Sequence, residues 1–449
     1  MKAPTGAVKG LIIAAPSSGS GKTVLTLGLL RYLSIIGKSI TSAKAGPDYI
    51  DPAYHTAATG MPCYNLDLWA MRPSILYEVA TLGSADAIVI CEGVMGLFDG
   101  AIMEQASTAD LAQVTGWPVV LIIDAAAQGA SAGAVLRGFA THRPNFSPVG
   151  VIFNRVGGIR HKDILRKAAI RAAPDVKILG FVPRSTDLDL PDRHLGLIQA
   201  VEHADLEKFL DSAANLVEKN IDIDEFLSLA RPLKLSGGVS SSPIAPLGQR
   251  IAIADDQAFS FRYTITLNGW KKEGAELNFF SPLLDQAPTV DVDAIYLPGG
   301  YPELHCHRLA SSKNFMHGLR TAAERGATVY GECGGYMVLG KGLIDMEGKY
   351  HPMAGLLPLE TSFAQRKLHL GYREVELDTE AVRGSGGILG SAGQRFRGHE
   401  FHYATIFDQK AGTPLFHSYD AAGSRLGPAG LAKGRVMGSF IHLIDRKDG

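Results

Sequence analysis

The sequence runs to 449 residues with 46% hydrophobic and 20% charged side chains, a length for two or three domains and a composition for sizeable buried cores. Its 44 Lys and Arg against 45 Asp and Glu leave a formal charge of −1, which gives no electrostatic ground for binding nucleic acid or an anionic membrane. The four cysteines form no CxxC pair and no apolar run reaches about 18 residues, so neither a disulfide framework, a structural zinc site nor a membrane span is expected, and a reducing cytoplasm is the natural setting.

The opening "MKAPTGAVKGLIIAAP" carries too short an apolar run for a signal peptide and leads straight into a Gly-rich loop. Its "KGLIIAAP" reads as a buried strand, and the following "APSSGSGKTVLTLGLL" as loop and helix. Gly19, Ser20 and Gly21 let backbone N–H groups approach phosphates, Lys22 adds a charge, and the Thr23 hydroxyl can ligate magnesium at the helix start. The strict pattern GxxxxGK[ST] is not met, because Pro16 stands where its first Gly belongs. An ordinary Gly-rich turn is the bland alternative; the strand-loop-helix context and the GKT triplet favour a nucleotide.

Further strands follow at "KSITSAKA", "DAIVICEG", "PVVLIIDA" and "GVIFNRVG". They run into Lys44 and Asp48, Glu92, Asp124 and Asn154, all at the carboxyl edge of an open parallel sheet, where ligands bind. One such acid is usually a helix cap, but a row of polar strand ends suggests a site. "KAGPDYIDPAYH" holds Asp48, Asp51 and His55, and "CEGVMGLFDG" holds Glu92 and Asp99. Magnesium takes hard oxygen ligands and keeps water, so Thr23, Asp48 and Glu92 would suffice. Asp99, on a Gly-flanked loop, is a candidate for positioning substrate or a second metal, and His55 for binding a substrate carboxylate or capping a helix.

"RPLKLSGGVSSSPIAPLGQ", residues 231–249, is rich in Ser, Gly and Pro and reads as a linker between an N-terminal domain, 1–230, and a C-terminal one, 250–449. Beyond it, "QRIAIADD", "VDAIYLPGG" and "ATVYGECGG" are apolar strands alternating with helical patterns, predicting a second α/β domain with a parallel sheet. His305-Cys306-His307 alternates along the chain and offers no convergent metal set. In "TVYGECGGYMVLG", Cys333 stands at a sharp strand-to-helix turn among Gly331, Gly334 and Gly335, the setting of an exposed nucleophile whose thiol the helix end would acidify. Gly299 and Gly300 in "LPGGYPEL" are candidate donors to an oxyanion. A base must come from a distant histidine: His399, His402 or His442.

Taken in order, "PSSGSGKT", "KAGPDYIDPAYH", "NLD", "EGVMGLFDG", "PDRHLGL", "YLPGGYPEL", "GECGGYMVLG", "RGHEFHY" and "GSFIHL" resemble the cobyrinic and hydrogenobyrinic acid a,c-diamide synthase family of cobalamin biosynthesis over almost the full chain. The resemblance implies an N-terminal P-loop domain similar to dethiobiotin synthetase and a C-terminal class I glutamine amidotransferase-like α/β domain. It implies Cys333 as glutaminase nucleophile, His442 as its base and Gly300 in the oxyanion hole. It matches Thr23, Asp48 and Glu92 to magnesium and phosphate, Asp99 to the substrate side, and Asn154 to the nucleotide base. The small-molecule substrates would be ATP, glutamine and a corrinoid macrocycle, with or without cobalt, and a homodimer is a candidate assembly.

Many class I amidotransferases carry His-x-Glu, but His442 is followed by Leu443 and Ile444, which leaves open what orients its imidazole. Cobyric acid synthase and the nickel sirohydrochlorin a,c-diamide synthase are neighbouring readings. A nucleotide-dependent partitioning switch would share the P-loop half but has no use for Cys333 with a C-terminal histidine.

Overall fold

The computed structural model describes residues 8–83, 87–185, 188, 192–193, 196–238, 241–409 and 411–448, so the side chains of the "PDRHLGL" motif lie outside the described residues. The chain divides into two compact units, Met1–Trp69 with Pro73–Val239, and Ala70–Arg72 with Ser240–Gly449. Among the described residues no helix is long and apolar enough to cross a membrane.

In the first unit, strands β1 (Lys9–Ala14), β2 (Ile40–Ala45), β3 (Tyr64–Leu66), β4 (Ile88–Glu92), β5 (Val119–Asp124), β6 (Gly150–Val156) and β7 (Lys177–Pro183) form a parallel sheet ordered β3-β2-β4-β1-β5-β6-β7. The apolar runs seen in the sequence are buried on both faces: Leu11, Ile12 and Ile13 of β1 are fully covered, as are Val120, Leu121 and Ile122 of β5. At about 1.5–3 kcal/mol for each such side chain, burial outweighs the modest strand preference of any single residue. Strand order runs one way from β1 to β4 and the other way from β1 to β5, which opens a crevice at the carboxyl end of β1. Helix α1 (Lys22–Ile35) starts there, capped by Gly21 in the left-handed region at φ 85°.

The second unit holds a six-stranded sheet in the order Glu276–Phe280, Arg250–Ala254, Ala294–Leu297, Thr328–Glu332, Val436–Ser439, Leu431–Lys433, parallel except for the last strand. Side chains alternate between its faces. Ile295, Leu297 and Val329 join one core with Phe315, Leu319 and Tyr336, while Ile251, Tyr296 and Tyr330 join another with Val375, Phe396 and Leu443. That second core is closed by a five-stranded antiparallel sheet, ordered Arg425–Ala429, Phe416–Asp420, His369–Leu377, Arg395–His402, Ile441–Arg446, which the sequence reading did not anticipate. Residues 231–249 are only partly linker-like: Arg231–Pro232 pairs antiparallel with β1, and Ile244 and Leu247 are buried in the second unit.

Candidate active sites

At the end of β1 the Gly-rich loop turns so that the Thr23 hydroxyl donates to Glu92 Oε1 at 2.7 Å. Glu92 closes β4 and is wholly buried, and it also accepts from Lys44 Nζ at 3.1 Å and faces His55 Nε2 at 2.8 Å. Lys44 is bonded to Asp51 as well, with Asp48 Oδ2 at 3.9 Å. Burial opposes the Lys44 charge, but Asp51, Glu92 and Asp48 outweigh it and hold the ammonium well above its ordinary value. Burial likewise opposes the Glu92 charge, and Lys44 and His55 overcome it, keeping the carboxylate ionised. Lys22 is drawn down to about 8 by burial and by Lys44, and its Nζ rests on the Met95 carbonyl at 3.0 Å.

Thr23 and Lys44 thus meet on Glu92, with Asp48 beside Lys44. A hydroxyl and carboxylates are the hard oxygens that a divalent magnesium ion takes, so the donor set fits one. Asp48 spends its other oxygen on the backbone N–H groups of Ile50 and Asp51, 2.8 and 3.1 Å away. His55 is a correction: fully buried, it reaches Glu92 and Cys63 Sγ, 3.5 Å from Nδ1, rather than capping a helix or facing a substrate. Asp99 is exposed and accepts from the Gly96 N–H at 2.9 Å. Asn154 turns inward, its Nδ2 donating to the Ser20 carbonyl at 3.0 Å; it braces the loop.

Arg155 was missed. It sits in the left-handed region at φ 58° and its NH1 donates to Asp124 at 2.6 Å and to the Gly19 carbonyl at 3.0 Å. Its only sequence signal was its place beside Asn154 at a strand's carboxyl end.

In the second unit, the strand Thr328–Glu332 ends in Cys333 at φ 48° and ψ −106°, and the helix Gly334–Leu339 follows at once. A side chain in that region is strained, and the surroundings fix it: the Cys333 N–H donates to the Ser439 carbonyl at 2.8 Å. A Cβ at Gly335 would stand 2.0 Å from the Leu297 carbonyl oxygen, so only glycine lets the helix seat against the neighbouring strand. A Cβ at Gly299 would meet His442 Cε1 at 2.3 Å, His442 Nε2 at 3.0 Å and Cys333 Cβ at 3.2 Å. Cys333 Cβ and the His442 imidazole therefore border the same glycine. The Gly300 nitrogen lies within 3.1 Å of where a Gly334 Cβ would stand, beside the same turn.

The expected acidification of Cys333 does not occur in this closed pocket. Burial, then Glu303, pushes the thiol well up, and the Gly334 N–H only partly offsets them. The six-residue helix is too short to win against full desolvation. His442 is likewise pushed down to about 3 by burial and by His399 and His402. Both partners are neutral at rest, so charge separates only when substrate supplies somewhere for it to go.

Of the other candidate bases, His402 is tied to Glu400 at 2.9 Å and to the Ala404 carbonyl at 2.9 Å. His399 lies opposite His442 in the strand register and is edge-on to Tyr372. His369, Glu400 and His402 approach closely enough to suggest a metal. Two features speak against one: Arg373 already donates to Glu400 at 2.7 Å, and the imidazoles of His369 and His402 stack at 6°, so their lone pairs run parallel instead of converging. Cys306 bonds to the Glu303 carbonyl at 3.1 Å, as a packed thiol does.

Sequence reasoning also passed over Glu332. This buried residue lies 4.0 Å from His442 Nδ1 and accepts from the Tyr296 hydroxyl at 2.7 Å, the Tyr330 hydroxyl at 3.0 Å and the Leu443 N–H at 3.1 Å. Burial raises it to about 7, against the pull of those three donors. A glutamate directly before the nucleophile ends an apolar strand, and nothing local distinguished it from a solvated strand end.

Residues 11–198 match the family model of the CobQ/CobB/MinD/ParA nucleotide binding domain, and residues 250–448 that of the CobB/CobQ-like glutamine amidotransferase domain. Hydrogenobyrinate a,c-diamide synthase from Brucella abortus biovar 1 (strain 9-941) is 52% identical over 98% of this chain and 99% of its own. The enzymes of that name from Rhizobium meliloti (strain 1021) and Rhodobacter capsulatus are 50% and 48% identical, covering 98% and 97% of this chain and 99% and 98% of their own. A nucleotide-binding unit, a glutamine amidotransferase unit and this end-to-end likeness have one meaning: the chain belongs to the hydrogenobyrinate a,c-diamide synthase family, glutamine-dependent amidating enzymes of cobalamin biosynthesis.

Proposed function

We propose that the chain is a carbon–nitrogen ligase that hydrolyses glutamine and ATP to amidate the a and c acetate carboxylates of hydrogenobyrinic or cobyrinic acid. Residues 1–230 would form the amidoligase, 231–249 the linker and 250–449 the glutaminase. The observation that carries this reading is the convergence of Cys333 and His442 at Gly299, in a chain whose other unit carries a P-loop.

In the glutaminase, Cys333 Sγ attacks the side-chain carbonyl carbon of glutamine while its proton passes to His442 Nε2. The N–H of Gly300 faces the developing oxyanion. His442 then returns the proton to the leaving nitrogen, ammonia departs, and water cleaves the thioester to release glutamate. In the amidoligase, a substrate carboxylate oxygen attacks the γ-phosphorus of ATP and ADP leaves, because a free carboxylate is too poor an electrophile for ammonia. Lys22 meets the phosphate charge as it shifts, Lys44 holds the Glu92 and Asp51 carboxylates, Asn154 and Arg155 hold the loop, and Asp99 faces the substrate side. A magnesium ion held by Thr23, Asp48 and Glu92 would neutralise phosphate charge. Ammonia displaces phosphate from the acyl phosphate, and a second round amidates the other acetate.

Cys333→Ser tests the assignment. Glutamine-driven diamide formation should vanish while amidation with ammonium salts continues; survival of both would remove Cys333 from the mechanism. Product mass with hydrogenobyrinic and cobyrinic acids supplied side by side identifies the corrinoid.

A further inference from the structure

The buried carboxylate beside the glutaminase pair has no role in the steps above, yet its surroundings are built to hold it. Glu332 is clamped by two tyrosine hydroxyls and by the backbone N–H of Leu443, the residue immediately after His442. The clamp fixes the carboxylate relative to the strand that carries the imidazole. Its Oε2 faces Nδ1 at 4.0 Å, whereas Gly299, whose added Cβ would also meet Cys333 Cβ at 3.2 Å, lies against the Cε1–Nε2 edge of the ring. The carboxylate at Nδ1 and the Cys333 turn beside the Cε1–Nε2 edge therefore flank the ring from different sides, the arrangement that selects one tautomer and stabilises the imidazolium formed in turnover.

Other charged or titratable groups facing His442 come from the strand Arg395–His402: His399, Glu400 and His402. Glu400 is engaged by Arg373 and His402, and the two histidines repel a proton on His442. Glu400 also favours a proton on His442, but it is spent on Arg373 and His402, whereas Glu332 lies 4.0 Å from Nδ1. The 4.0 Å spacing is longer than a hydrogen bond, and catalytic contacts commonly tighten when substrate is bound.

We propose that Glu332 is the residue that positions His442 and steadies its protonated form during glutamine hydrolysis, in place of the glutamate absent two residues beyond the histidine. This rests on the reading of Cys333 and His442 as the glutaminase pair. Glu332 touches no substrate and acts through the imidazole.

Glu332→Gln keeps the shape and removes the charge: its amide oxygen can still accept from the Tyr330 hydroxyl and the Leu443 N–H, while its NH2 donates to a Tyr296 hydroxyl that must turn round. Its kcat for glutamine hydrolysis should fall by about 10²-fold or more, with KM changed less than about threefold, by analogy with loss of the orienting carboxylate in hydrolytic triads. Ammonium-driven amidation should stay near the parental rate, which shows that the variant is folded at the assay pH. A kcat within about threefold of the parent overturns the proposal. A second readout needs no variant at Glu332: the ¹⁵N shifts of His442 in the parent enzyme should place the neutral proton on Nδ1, and a proton on Nε2 overturns the proposal even where Glu332→Gln fails to fold. Glutaminase activity surviving in Cys333→Ser would instead break the underlying reading.

Discussion

The Thr23 hydroxyl donates to Glu92 Oε1 at 2.7 Å across 69 residues of sequence, so the loop after β1 and the end of β4 present their oxygens to one point. Glu92→Gln preserves the size of the side chain but removes the charge shared by Thr23, Lys44 and His55. Ammonium-driven amide formation should fall by about 10²–10³-fold, the scale on which loss of one preorganised charge-stabilising group acts. Glutamine hydrolysis should continue. Measuring both with the same preparation separates the two activities, and unchanged amidation would exclude Glu92 from the nucleotide site.

Arg72 and Asp445, both in the second unit, form a buried arginine–carboxylate pair, with Asp445 on the strand that also carries His442. Arg72 Nε reaches both carboxylate oxygens at 3.1 and 3.0 Å, its backbone N–H donates at 2.8 Å, and the Ser241 and Ser242 carbonyls take the other end of the guanidinium. Asp445 is fully buried and raised to about 6 by burial, against the pull of Arg72. Arg72→Ala would leave that carboxylate without its cation, a loss of about 3–5 kcal/mol. The double variant Arg72→Met with Asp445→Leu should cost much less, because no charge is left buried. Guanidinium denaturation followed by glutaminase activity reads both, and equal losses would mean that the pair itself, not the orphaned charge, carries the stability.

The Gly-rich loop after β1 and the Cys333 turn were legible in the sequence for the same reason. Chemistry that needs backbone close approach is written in glycine, and glycine clusters after apolar strands stand out. Gly19 and Gly21 marked one turn, and Gly331, Gly334 and Gly335 the other. The strands of the parallel sheets were legible because burial on both faces leaves uninterrupted apolar runs. The antiparallel sheet was hidden: "HLGYREVEL" and "RFRGHEFH" mix a few buried apolar residues with half-buried Arg, Glu and His, which dilute the apolar signal. Glu332 and Arg155 were illegible for a different reason. Their roles are set by contacts to Tyr296, Leu443, Gly19 and Asp124, and long-range contacts leave no local pattern. Asn154 was found for its place at a strand end, but its partner, the Ser20 carbonyl, gave it a bracing role.

Gly335→Ala tests whether the nucleophile turn depends on close approach. Its Cβ would lie 2.0 Å from the Leu297 carbonyl oxygen, a backbone atom with no room to retreat in a parallel sheet. The helix would have to lift, moving Cys333 away from His442. The substitution should lower stability by about 1–3 kcal/mol, the usual cost of overpacking, and reduce glutamine hydrolysis far more than ammonium-driven amidation. Parental glutaminase kinetics would show that the turn tolerates displacement.

Glu332 also predicts how stability responds to pH. Its carboxyl is raised from the ordinary 4.5 to about 7, first by burial, so the folded protein binds this proton more tightly than the unfolded chain does. The stability it contributes is fully present below pH 4.5 and is lost as pH rises through about 7. The linked change is on the order of 3 kcal/mol. Glutamine at this position does not titrate, so the Glu332→Gln variant should lack that decline. Subtracting the unfolding free energy of the variant from that of the parent cancels titrations common to both. The difference should fall as pH rises across this window and level off above it. Parallel curves would mean that the carboxyl ionises at its ordinary value in the folded protein, with Tyr296, Tyr330 and the Leu443 N–H offsetting its desolvation.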